Sequence, residues 1–107
     1  MYKLNRKVLD MEMKYAWDKA IKVEGDNLVD YTTKKDRQPM LRDRVAVRHY
    51  SEGKKKISFT QVDFESDISA ILELVHKQSP ESAKTQASVI FSYWKNRKAI
   101  VELKEAA

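Results

Sequence analysis

Leu41-Arg-Asp-Arg-Val-Ala-Val-Arg-His-Tyr-Ser-Glu-Gly-Lys-Lys-Lys-Ile-Ser-Phe-Thr-Gln61 is the stretch on which the reading of the fold turns. Side chains alternate across a strand, so Val45 and Val47 fall on one face. Arg42, Arg44, Arg48 and Tyr50 fall on the other. Further along, Ile57 and Phe59 alternate with Lys56, Ser58 and Thr60. Opposed residues of an antiparallel pair share a face, which sets Val47 against Ile57 and Val45 against Phe59. That register leaves Ser51-Glu52-Gly53 as a three-residue loop, with glycine at the left-handed position such loops require. The expectation is a basic antiparallel β-hairpin over residues 41–61.

Downstream, helical spacing takes over. Asp63 suits an N-cap, and Phe64, Ile68, Ile71, Leu72 and Val75 form an apolar stripe, predicting a helix over about 63–78. Ser79-Pro80-Glu81 restarts a helix, with proline at the first position, where a missing N–H is harmless. Nothing breaks the chain from there to about Lys104. This second helix carries two apolar lines: Ala83, Ala87, Ile90, Trp94 and Val101, and then Val89, Tyr93, Ile100 and Leu103.

Upstream, period and punctuation disagree. Leu9, Met11, Met13, Tyr15, Trp17, Ile21 and Val23 alternate like a strand. Asn5 as N-cap, lysines in a last turn and Gly25 just beyond argue for an amphipathic helix over about 5–24, the reading taken here. Residues 25–40 read as a polar connection. The fold class expected is α+β, one domain spanning residues 1–107: an N-terminal amphipathic segment, the basic hairpin and two helices behind it.

The chain has 107 residues, 35% of them charged, with two Gly, two Pro and no Cys. So few turn formers argue against a many-stranded sandwich or barrel. The absence of cysteine excludes disulfide scaffolds and thiolate metal sites, and suits a cytoplasmic setting. No apolar run is long enough for a membrane span, and the first twenty residues do not resemble a signal peptide. The net charge is +5, and residues 31–60 hold nine basic side chains against three acidic ones, while the flanking thirds nearly cancel. A localised excess of this kind attracts polyanions.

The hairpin's outer face would gather Arg42, Arg44, Arg48, Tyr50, Lys54 and Lys56, with Lys34, Lys35 and Arg37 on the preceding connection. Arg48 would sit across from Lys56, and like charges directly opposed destabilise a bare hairpin. A bound anion would relieve that repulsion, and guanidinium forks fit phosphate oxygens. The function expected is therefore non-enzymatic nucleic-acid binding through the phosphate backbone. The alternative is a regulator or inhibitor that docks an acidic protein surface.

Tyr93-Trp-Lys-Asn-Arg-Lys-Ala99 is similar to the W-F-x-N-R-R-A stretch of a homeodomain recognition helix over those seven residues. The resemblance implies base and phosphate contacts for Asn96 and Arg97. It departs in the long helix before Tyr93 and in the strands upstream, since homeodomains are three-helix modules. The reading carried forward is a helix with Trp94 in the core and cations along its polar edge. His49 and His76 have no ligand spacing, and no nucleophile or phosphate-loop motif occurs, so neither a metal, a cofactor nor an enzyme is expected. Val89, Tyr93, Ile100 and Leu103 would remain exposed on the last helix, which predicts a homodimer across that stripe.

Overall fold

Tyr2–Leu4 (β1) runs antiparallel to Ile100–Glu102 (β2), with Lys3 opposite Val101 and Leu4 opposite Ile100. The computed structural model describes residues 1–14, 41–53 and 58–103. Among them are four helices: α1 over residues 6–14, α2 at Leu41–Gly53, α3 at Gln61–Leu74 and α4 at Pro80–Asn96. The class is α+β, mostly helical, with a small two-stranded sheet. No helix among the described residues is long and apolar enough to cross a membrane.

Capping outweighs alternation at the N-terminus. The side-chain oxygen of Asn5 accepts a hydrogen bond from the Val8 N–H at 3.4 Å, and its carbonyl accepts from Leu9 at 3.0 Å. Leu9 is buried and Met13 half-buried, whereas Met11, which the strand reading would place beside them, is 65% exposed. Residues 15–24 of the expected segment, and the connection 25–40, lie outside the described residues.

The hairpin is replaced. Leu41–Gly53 is one α-helix, and Ser51-Glu52-Gly53 is its last turn instead of a loop. Asp43, Ala46, Val47 and Tyr50 turn inward at intervals of three and four, while Val45 is only half-buried. Two valines cannot distinguish a period of 2 from one of 3.6. Leucine, arginine and alanine favour helix, and no Gly or Pro interrupts residues 41–52. Arg48, which the hairpin would set against Lys56, pairs with Glu52 one turn on. Phe59 meets Tyr2 rather than Val45, through a bridge whose two N–H···O bonds are both 2.8 Å. Lys54 to Ile57 lie outside the described residues.

Both later helices differ at their ends. α3 starts two residues earlier than expected because Thr60, not Asp63, is the N-cap. The Asp63 N–H donates to Thr60 Oγ1 at 3.1 Å, and the Asp63 carboxylate accepts from the Thr60 N–H, closing a capping box. Phe64, Ile68 and Leu72 are buried as the stripe predicts, but Val75 caps the helix and is 55% exposed. α4 starts at Pro80, with Ser79 as N-cap, as expected. It stops at Asn96, well short of Lys104. Lys98 takes a left-handed φ of 63°, its N–H donates to the Lys95 carbonyl, and the Ala99 N–H donates to that of Trp94. This is a Schellman closure with lysine where glycine is usual, so no glycine announces it. The β-branched pair Ile100-Val101 then enters β2.

One apolar cluster joins Leu9 of α1, Val47 and Tyr50 of α2, Phe59, the inner faces of α3 and α4, and Ile100 of β2. At its centre Phe64 touches the rings of Tyr50, Phe59 and Phe91 at centroid distances of 5.1 to 5.6 Å. Tyr2 of β1 meets Phe91 edge-on at 5.1 Å, which anchors the sheet to α4.

Candidate nucleic-acid interface

The cations expected on the hairpin face are dispersed and largely engaged. Arg44 is 1% exposed and donates to the Tyr93 hydroxyl at 3.0 Å. Arg48 reaches Asp10 of α1 and, at 2.7 Å, Glu52 of its own helix. The hydrogen bond to Glu52, aided by the Asp10 charge, holds its pKa above the ordinary arginine value. The Nε of Arg42 lies 3.7 Å from Asp43. Tyr50 is buried, and burial together with the nearby Asp67 and Asp63 carboxylates pushes its pKa up. Arg44 and Tyr50 therefore face the core and present nothing to a phosphate. Lys34, Lys35, Arg37, Lys54 and Lys56 lie outside the described residues.

The expected dimer stripe is also broken up. Val89 remains 49% exposed, but Tyr93 is half-buried beneath Arg44 and Arg97. Ile100 is 1% exposed in β2, and Leu103 lies beyond that strand. Helix α4 ends too early to carry all four on one face. The N-terminal segment folds back against this part of the chain instead, as β1 pairs with β2.

A different basic surface takes shape where the ends of the chain meet. The β1–β2 ladder continues through the Asn5 N–H, which donates to the Ala99 carbonyl at 2.7 Å. That bond seats the start of α1 beside the closing turn of α4. Lys3, Arg6 and Lys7 come from one side, and Lys95, Arg97 and Lys98 from the other, all six exposed. Lys95 Nζ lies 5.3 Å over the ring of Tyr2, and Arg97 Cζ 5.1 Å from that of Tyr93. Arg97 also approaches Glu12 at 3.7 Å. Among the described residues no carboxylate lies within 4.0 Å of Lys3, Arg6, Lys7, Lys95 or Lys98.

Three of these placements work against stability. Arg6 and Lys7 occupy the first turn of α1, where the helix dipole favours anions. Lys98 adopts a backbone conformation that costs an L-residue about 1 kcal/mol or more. Counting charge along the chain hides this platform, because its members sit in segments whose totals are near zero. Trp94 is fully buried, and Lys95, Arg97 and Lys98 are exposed beside it, as the core-and-edge reading of Tyr93–Ala99 predicts. Compared with known proteins, the chain matches no family model, no curated protein and no solved structure.

Proposed function

We propose that the chain is a non-enzymatic nucleic-acid-binding protein that grips the phosphate backbone through the platform of Lys3, Arg6, Lys7, Lys95, Arg97 and Lys98. The observation that carries this reading is that five of the six cations are exposed with no carboxylate in ion-pair range among the described residues. Phosphates would pair with these exposed cations. They would also turn the unfavourable cations of the first α1 turn into ligand contacts, because the positive end of the helix dipole favours a bound anion. Six exposed cations where the two ends of the chain meet suffice for binding that is electrostatic, weak at high salt and tolerant of base sequence.

A gel shift on the full chain, repeated across salt concentrations, tests this. Binding should weaken linearly in log salt, with a slope of about −0.9 per phosphate neutralised on duplex DNA. Lys3→Glu with Lys98→Glu should abolish the shift while circular dichroism remains that of the wild type, since both side chains are exposed. A double variant that binds as tightly as wild type would refute the platform. Absence of nucleic-acid binding, with saturable capture of acidic polypeptides, would favour the acidic protein partner instead.

A further inference from the structure

Both tyrosines beside the platform already carry cations on their rings. Lys95 covers Tyr2, and Arg97 covers Tyr93, with Arg44 a further 5.8 Å neighbour of the latter. Their ring contacts inside the protein are edge-on, Tyr2 to Phe91 and Tyr93 to Trp94 at 5.0 Å. Proteins that hold single strands combine a basic groove with open aromatic faces, on which the unpaired bases stack. On the face of each ring that carries a cation, a base would have to displace a group that the phosphate contact needs. Stacking and charge compete at the same two places, so the platform is left with charge.

We infer that the platform selects double-stranded over single-stranded nucleic acid, without reading base sequence. This rests on the proposed role of the platform in phosphate binding. A surface that binds through its cations follows the charge density of its ligand. A DNA duplex presents one charge per ~1.7 Å of axis, and each of its strands only one per ~3.4 Å. Unpaired bases would gain little at Tyr2 and Tyr93, whose rings each already carry a cation.

Fluorescence anisotropy on the full chain decides the matter, using a labelled DNA duplex of ~20 base pairs and one of its own strands. The duplex should bind roughly tenfold or more tightly at about 0.1 M salt, with the steeper salt dependence. A second duplex of unrelated sequence should bind within about threefold of the first. Lys95→Gln uncovers Tyr2, and it should weaken duplex binding more than single-strand binding, narrowing the preference. A single strand that binds as tightly as the duplex would overturn the inference, as would a preference unchanged by Lys95→Gln. If neither polymer binds at about 0.05 M salt, or if Lys3→Glu with Lys98→Glu affects neither, the phosphate-binding role itself falls.

Discussion

Arg44 and Tyr93 stand 49 positions apart in the chain, and the guanidinium of one donates a 3.0 Å hydrogen bond to the hydroxyl of the other. This bond joins α2 to α4 at a point where Arg44 is almost wholly buried. A buried charge survives only if its donors are met, so the tyrosine hydroxyl is an acceptor the fold depends on. Tyr93→Phe should cost about 1.5–3 kcal/mol in urea denaturation, the range for a hydrogen bond to a charged group. Arg44→Glu, which would be harmless on the outer face of a hairpin, should unfold the protein. Arg44→Met combined with Tyr93→Phe should cost less than the two single changes added, by about 1 kcal/mol, because both remove the same contact. Strict additivity would show that the bond contributes nothing.

Tyr50 sets an alkaline limit. Burial among Phe59 and Phe64, reinforced by the Asp67 and Asp63 carboxylates, raises its pKa above that of a free tyrosine. The unfolded chain then loses this proton at lower pH than the folded one. The contribution of Tyr50 to stability is complete below pH ~10 and falls above it, by up to about 1.4 kcal/mol per pH unit, until the folded pKa is reached. Tyr50→Phe should flatten that decline relative to wild type in denaturation midpoints taken from pH 8 to about 11. Identical slopes would show that Tyr50 ionises as readily folded as unfolded.

Stability and binding should move in opposite directions at the platform. Lys98→Gly relieves the left-handed lysine but removes a cation from the α4 C-terminus, for a net gain of a few tenths to about 1 kcal/mol. Arg6→Glu with Lys7→Glu should gain about 0.3–1 kcal/mol per residue from the α1 dipole. Each change should weaken nucleic-acid binding. Lys77→Gly is the control: Lys77 has the same left-handed backbone, φ 57°, but lies on the α3–α4 connection. It should stabilise without altering affinity. Equal loss of affinity in the Lys77 and Lys98 variants would argue against a localised platform.

Thr60→Ala removes a capping box from the first turn of α3. The expected loss is about 1 kcal/mol in thermal or urea denaturation. Thr60→Ser should restore most of it, since serine offers the same acceptor. A fully neutral Thr60→Ala would mean that the first turn of α3 contributes little to global stability.

The starts of α1 and α4 could be read from the chain because their chemistry is local. Asn5 and Ser79 each bond a backbone N–H three residues ahead, so donor and acceptor are already neighbours before any tertiary contact forms. The stripes of Phe64, Ile68 and Leu72, and of Ala83, Ala87, Ile90 and Trp94, are equally legible, since about two to three turns of consistent spacing at intervals of three and four admit one period. The helix over Leu41–Gly53 is not. Its valines fit two periods, and what separates them is the company its side chains keep: Tyr50 against Phe59 and Phe64 and Arg44 against Tyr93 inside, and Arg48 against Asp10 at the surface. None of those partners lies on α2 itself. The early end of α4 has no mark in the sequence because a lysine takes the left-handed position that glycine would signal. The platform lay beyond reach for a simpler reason. Lys3, Arg6 and Lys7 are separated from Lys95, Arg97 and Lys98 by most of the chain, and the hydrogen bonds between β1 and β2 bring them together. Charge along a sequence adds up locally, whereas an electrostatic field depends on distances that the fold creates.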